Sequence, residues 1–130
     1  MWLVADRRPV LCVEDNDANY ALIQRVLEST GRWAVTRASR VEQARALLER
    51  QTPAVLVLDL DLPGIGGLEL ARELKSSERW RSLPIVVVSA SVMKQEQQRA
   101  RAAGCEYFVE KPFDIDHLRS VVAKAAGPVT

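Results

Sequence analysis

Asp59 closes the apolar run Ala54-Val55-Leu56-Val57-Leu58 and is followed by Leu60-Asp61-Leu62-Pro63-Gly64. Such a run reads as a strand buried on both faces. A carboxylate at its end is delivered to the rim of a sheet, and in open parallel sheets that carboxyl edge is where ligands bind. Three other short apolar runs end in polar groups in the same way. Val10-Leu11-Cys12-Val13 runs into Glu14-Asp15, Ile85-Val86-Val87-Val88 into Ser89, and Tyr107-Phe108-Val109 into Glu110-Lys111-Pro112. Brought to one rim, these ends assemble Glu14, Asp15 and Asp59 with the Ser89 hydroxyl and the Lys111 amine. Carboxylates held side by side repel, and one must take up a proton unless a cation intervenes. All-oxygen donors favour a hard divalent ion, and Mg²⁺ suits few carboxylates plus several waters. An electrophile served by Mg²⁺, one lysine and one hydroxyl is a phosphoryl group. Asp59 stands between the other acids and Lys111, which makes it the nucleophile of this set. Mg²⁺ and Lys111 would spread the charge of the transferring group.

The elements that must position these groups follow from periodicity and punctuation. Asp17 to about Ser29 reads as a helix with Leu22, Ile23, Val26 and Leu27 on one face, ended by Gly31. Trp33 to Thr36 is a less apolar strand, suited to an edge. Ser39-Arg40-Val41-Glu42 is a capping-box sequence, opening a helix with Val41, Ala44, Leu47 and Leu48 inward. Pro53 restarts the chain before the Asp59 strand. Gly64-Ile65-Gly66-Gly67 is a loop whose paired glycines serve turn geometry, and Leu70, Ala71 and Leu74 mark the helix that follows. Pro84 precedes the Ser89 strand. The fourth helix, about Val92 to Ala103, is polar nearly all round. Its inner face offers mainly Val92, Met93 and alanines, so it should be loosely anchored, with Gly104 as its cap. Asp114 caps a fifth helix with the stripe Ile115, Leu118, Val121, Val122 and Ala125. Strand–helix alternation with short loops implies a parallel sheet covered on both faces, and right-handed crossovers leave few topologies. The expected fold is α/β and flavodoxin-like: a doubly wound five-stranded parallel sheet of order 2-1-3-4-5 with five helices. In that order the first, third, fourth and fifth strands are neighbours, so their polar ends share one rim.

The bulk numbers set bounds. The chain has 130 residues, one domain's worth, with 48% hydrophobic and 27% charged residues. Its 18 basic and 17 acidic residues leave a formal net charge of +1, so no basic field argues for nucleic acid. No apolar stretch approaches the roughly 20 residues of a membrane span, and the start carries no signal-peptide pattern. Cys12 and Cys105 are packing residues, too few for a disulfide framework, which fits a reducing cytoplasm. The expected divisions are an N-terminal extension over residues 1–8, one domain over 9–126 and a tail over 127–130. The scattered Trp2, Trp33 and Trp80 form no stacking platform. His117 reads as solvent-facing.

Four motifs in order, at compatible spacing, carry a specific likeness. Over about residues 9 to 126 the chain resembles the receiver domain of two-component response regulators, in the single-domain, chemotaxis-regulator-like form. The matching stretches are Val10–Asn16, Val55–Gly67, Val86–Ala90 and Glu110–Phe113. The resemblance implies that Asp59 is the phosphoacceptor and Asp15 a direct metal ligand. It puts Glu14 beside the ion, usually through water, and makes the Asp61 backbone carbonyl a further ligand. Ser89 becomes the hydroxyl that moves onto the phosphoryl oxygen, Lys111 the cation paired with it, and Phe108 the switch aromatic. The Lys111–Pro112 bond is often cis in this family. The implied cofactor is Mg²⁺, with Mn²⁺ as a substitute. The implied partners are a histidine kinase or histidine phosphotransfer protein as donor and a downstream protein as target. A homodimer through the fourth helix, fifth strand and fifth helix is a further option.

Such a module is not an enzyme beyond self-phosphorylation from small donors and autodephosphorylation. It would signal in the cytoplasm by protein contact, as a stand-alone receiver or one excised from a longer chain. Serine at 89 and phenylalanine at 108 replace the frequent threonine and tyrosine, and Phe108 lacks a hydroxyl for output contacts. Asp61 adds a negative side chain near the phosphate. Two other functions compete. Asp59-Leu60-Asp61 with Ser89, Lys111, Asp114 and Asp116 also fits the residue order of haloacid-dehalogenase-type phosphatases, but Leu62-Pro63 follows and Glu14-Asp15 would have no purpose. A pseudo-receiver used only as a docking or dimerisation scaffold would not need the full set of acids.

Overall fold

The computed structural model describes residues 7–62, 66–90 and 94–128. Pro63, Gly64 and Ile65 of the expected loop, Val92 and Met93 of the expected fourth helix, and Trp2 lie outside the described residues. The order of elements is β1 (Arg8–Val13), α1 (Asp17–Glu28), β2 (Trp33–Ala38), α2 (Val41–Arg50), β3 (Val55–Asp59), α3 (Gly67–Lys75), β4 (Ile85–Ser89), α4 (Lys94–Ala102), β5 (Tyr107–Glu110) and α5 (Ile115–Ala126). The strands form one sheet of order β2-β1-β3-β4-β5, every pairing parallel. This is the expected doubly wound topology.

All five residues of β3 and all five of β4 are buried. Their unbroken apolar runs follow from helices covering both faces, and successive residues point to opposite layers. Leu11, Val13, Leu56, Leu58 and Val87 pack with Val41, Ala44 and Leu48 of α2 and Leu70, Ala71 and Leu74 of α3. Val10, Cys12, Val55, Val57, Val86 and Val88 pack with Ile23, Val26 and Leu27 of α1 and Leu118, Val122 and Ala125 of α5. Each buried Val, Leu or Ile among these contributes roughly 1.5–3 kcal/mol by leaving water. The register fixes the functional rim: Asp59 pairs with Val88 and Ser89 with Glu110.

Several local expectations need correction. Leu22 is 38% exposed. At 100° per residue it lies about 90° from the centre of the Ile23, Val26 and Leu27 stripe. Ile115 is 46% exposed: it is the first residue of α5, roughly 50° off the centre of the stripe Leu118, Val122 and Ala125. Leu47 and Val121 are partly buried rather than core. The capping box does not form as read. The residue capping α2 is Arg40, without a side-chain bond. Gln43 Oε1 instead accepts from both the backbone N–H and the hydroxyl of Ser39, at 2.7 Å each, so the reach-back comes one residue later than Glu42. β2 continues two residues past Thr36, to Ala38, and that extension matters at the site.

Candidate functional site

The rim is assembled from four strand ends. At the end of β1, Glu14 is buried, with no exposed surface. Its Oε2 accepts the Asn16 N–H at 3.2 Å, while Oε1 accepts no hydrogen bond from the described residues and lies 3.5 Å from Lys111 Nζ. Asp15 is exposed beside it. The Asn16 side chain caps α1 through the Asn19 N–H at 2.9 Å, which fixes the turn carrying both acids. Arg37, in the extension of β2, holds the same turn from outside. Its guanidinium donates to the Glu14 carbonyl at 3.0 Å, the Asp15 carbonyl at 3.0 Å and Asp17 Oδ1 at 2.8 Å.

At the end of β3, Asp59 is buried and its Oδ1 accepts two bonds, from the Asp61 N–H at 2.8 Å and from Lys111 Nζ at 3.0 Å. The start of α3 presses on this corner: a Cβ on Gly67 would sit 2.8 Å from the Asp59 carbonyl oxygen. That close approach, rather than turn geometry alone, requires glycine at 67. At the end of β4 the Ser89 hydroxyl donates to Asp61 Oδ1 at 3.0 Å, and the Ala90 N–H donates to Asp61 Oδ2 at 2.8 Å. Lys111, following β5, is tied by its N–H to the Ser89 carbonyl at 3.0 Å, and its bond to Pro112 is cis. Its Nζ lies 3.0 Å from Asp59, 3.4 Å from Asp61 and 3.5 Å from Glu14. One ammonium thus faces three carboxylates.

The electrostatics follow from burial and crowding. Burial first, then Asp59, pushes the Glu14 carboxyl up to about 7, against the opposing pull of the Asn16 N–H and Lys111. Burial alone would lower Lys111, but Asp59, Glu14 and Asp61 outweigh it and hold the amine above its usual value. Burial likewise works to raise Asp61, yet the Ala90 N–H, the Ser89 hydroxyl and Lys111 keep its carboxyl below the ordinary range. Behind the acids, the Cys12 thiol is pushed strongly up by burial and then by Glu14 and Asp59, so it stays a neutral packing group.

Carboxylate oxygens of Glu14, Asp15 and Asp59 come within 4.8 Å of one another. A buried carboxyl with a bare oxygen, beside two more carboxylates, fits a hard divalent cation. Glu14, Asp15, Asp59, Asp61, Ser89 and Lys111 are therefore gathered as the sequence led one to expect. Phe108 is partly buried and stands opposite Val87 in the sheet. It shares a gap of only about 10 Å³ with Leu60, Ser89 and Gln97, and the Arg101 guanidinium lies 4.6 Å from its ring centre. His117 is exposed. Asp114 accepts the N–H groups of Asp116 and His117 as the cap of α5, and Asp116 is 3.9 Å from Arg119. Of the extra acids a phosphatase reading invokes, Asp114 thus caps α5 and Asp116 stands exposed on its first turn.

This arrangement is that of a known class. The family profile of the response regulator receiver domain matches residues 10–123. The chain belongs to that family of two-component signalling proteins. It is 31% identical over 120 residues to the polar-differentiation response regulator DivK of Brucella ovis, covering 92% of this chain and 97% of that one. A receiver domain of a Pseudomonas aeruginosa sensor histidine kinase, solved with a magnesium ion coordinated in its active-site cleft, is 29% identical with a TM-score of 0.83. That match covers 94% of this chain and 99% of the other. A sensor protein from Polaromonas sp. JS666 is 30% identical with a TM-score of 0.84, over 92% and 96% of the two chains. Among the described residues no helix is long and apolar enough to cross a membrane.

Proposed function

We propose that this receiver domain takes a phosphoryl group onto Asp59 from the phosphohistidine of a histidine kinase or histidine phosphotransfer protein and passes the signal on by changing its surface. The observation that carries this reading is the convergence of Glu14, Asp15 and Asp59 within 4.8 Å, with Lys111 Nζ 3.0 Å from Asp59. Glu14, Asp15, Asp59 and the Asp61 carbonyl would hold Mg²⁺, or Mn²⁺ as a substitute of equal charge. The ion, when bound, offsets negative charge on the phosphoryl oxygens. The chain's own groups do the rest. Lys111 and the Asp61 N–H fix one oxygen of Asp59, which orients the carboxylate for in-line attack on phosphorus. The new bond joins an Asp59 oxygen to phosphorus, and the bond from phosphorus to the donor imidazole breaks. Its electron pair stays on that nitrogen, which takes up a proton. The product is an acyl phosphate whose oxygens are served by Lys111 and Ser89.

Ser89 would follow the phosphoryl group inward, with Phe108 moving after it. The face of α4, β5 and α5 is the proposed output surface, for a downstream protein or a second copy of the chain. What supports this is the weak seating of α4, in which Ala100 is the buried residue among the described side chains. The buried thiols of Cys12 and Cys105 suit a reducing cytoplasm, where we place the reaction. The test is phosphoryl uptake from acetyl phosphate with Mg²⁺, read by intact mass. A gain of one phosphoryl group is expected for the native chain and none for Asp59→Asn. Uptake that persists in the variant refutes the assignment.

A further inference from the structure

Asp61 was expected to contribute its backbone carbonyl and to place a charge near the phosphate. Its side chain does something more specific. Oδ1 takes the Ser89 hydroxyl at 3.0 Å, Oδ2 takes the Ala90 N–H at 2.8 Å, and Lys111 Nζ lies 3.4 Å from Oδ2. A hydroxyl, a backbone amide and an ammonium at the end of β4 and β5 converge on one carboxylate, beside Asp59. These donor types in this clustering suit a tetrahedral anion attached to Asp59, because charge-assisted bonds to anionic oxygens are the strong ones. Two anions cannot share the same three donors.

We propose that the Asp61 carboxylate is a resident anion in the phosphoryl subsite, holding Ser89, Ala90 and Lys111 in the resting protein and yielding them when Asp59 is modified. The proposal rests on the reading of Asp59 as phosphoacceptor. Asp61 has a way out: its side chain is 33% exposed, so it can turn into water without a buried, unpaired charge. Asp59 cannot leave in the same manner, being buried and held through Oδ1. Asp61 is thus a built-in competitor of the phosphoryl group. It keeps the three donors satisfied at rest and lowers the affinity of the site for phosphoryl and its mimics.

The test is a beryllofluoride titration of the full chain in saturating Mg²⁺, followed by the Ala90 amide resonance, for the native protein, Asp61→Ala and Asp61→Asn, with Asp59→Asn as control. Removing the competitor should lower the half-saturating concentration by about tenfold in Asp61→Ala, the worth of one such hydrogen bond, with a fall in Asp61→Asn as well. Before ligand is added, the Ala90 amide should already shift in Asp61→Ala, since it loses an anionic partner. A native response that depends on Asp59, with half-saturation unchanged or raised in both Asp61 variants, overturns this proposal alone. A response that survives Asp59→Asn, or that is missing from the native protein and both Asp61 variants, overturns the phosphoacceptor reading and this proposal with it. A response that appears only once Asp61 is replaced supports it most strongly.

Discussion

Glu14 offers the most direct physical test of the acidic site. The side chain is wholly buried, one oxygen lacks a hydrogen bond from the described residues, and its carboxyl is pushed from the ordinary 4.5 up to about 7. A folded-state value above the unfolded one means that the fold prefers the protonated carboxyl. Below about pH 4.5 Glu14 is protonated in both states and contributes nothing to the pH dependence. As pH rises from there, the unfolded chain ionises freely while the folded one resists, and stability is lost until the loss is complete above about pH 7. At ~1.4 kcal/mol per pKa unit, the rise from 4.5 to about 7 sets the full penalty at no more than about 3.5 kcal/mol. Glu14→Gln removes the charge at nearly constant shape, keeps an acceptor for the Asn16 N–H and can donate to Asp59. In EDTA at pH 8 the variant should therefore melt higher than the native chain, by on the order of 10 °C for a domain of this size. The gap should shrink toward zero as pH approaches 4.5. Added Mg²⁺ should close it from the other side, stabilising the native protein far more than the variant. Calorimetric melts at pH 5 and pH 8, with and without Mg²⁺, measure all four quantities. A variant no more stable than the native chain at pH 8 in EDTA, or one with the same gain from Mg²⁺, would refute the reasoning.

Two further substitutions probe the supports of the site. Arg37→Met removes two hydrogen bonds to the Glu14 and Asp15 carbonyls and an ion pair to Asp17, while leaving Glu14, Asp15 and Asp59 themselves unchanged. Mg²⁺ affinity by titration calorimetry should fall on the order of tenfold, as for other residues that orient metal ligands, and an unchanged constant would show that the turn is rigid without it. Gly67→Ala places a methyl 2.8 Å from the Asp59 carbonyl oxygen. The expected cost is about 1–3 kcal/mol of stability, together with slower phosphoryl uptake as the end of β3 is displaced. A melt identical to the native one would mean that α3 shifts freely.

The fold was legible because its strongest signals are local and repetitive. Residues 55–58 and 85–88 alternate between two apolar layers with no polar interruption, and short Val- and Leu-rich runs set off by Pro53 and Pro84 read as strands covered on both faces. The rim chemistry was legible for the same reason, since a charged residue that ends such a strand has only the edge to occupy. What escaped was three-dimensional. Arg37 lies in an edge strand whose end was placed at Thr36, and nothing in the sequence couples it to a turn more than 20 residues earlier. The one available sign was an arginine directly after the short strand Trp33 to Thr36. Gly67 passed for a turn glycine because close approach to a backbone oxygen leaves no mark in one sequence. Leu22 and Ile115 were assigned inward because they are apolar, whereas the core face admits only the residues nearest the centre of each stripe.

The same charge imbalance underlies both the proposed metal site and the role assigned to Asp61. At full ionisation Glu14, Asp59 and Asp61 face the Lys111 ammonium, and Asp15 adds a fourth carboxylate beside Glu14 and Asp59. The four acids divide. Glu14, Asp15 and Asp59 crowd toward one another, where a divalent cation relieves them, while Asp61 turns the other way, onto donors that need an anion. A phosphoryl group on Asp59 replaces a monoanion by a group of higher charge, and its oxygens need the donors Asp61 holds. Expelling one exposed carboxylate is the cheapest adjustment, because Asp61 alone of the three acids facing Lys111 has substantial access to water. On this reasoning the resting and modified sites differ by which anion occupies the Ser89, Ala90 and Lys111 donors. Ser89 then bonds to an anion in both states, and what changes is the position of that anion relative to Phe108.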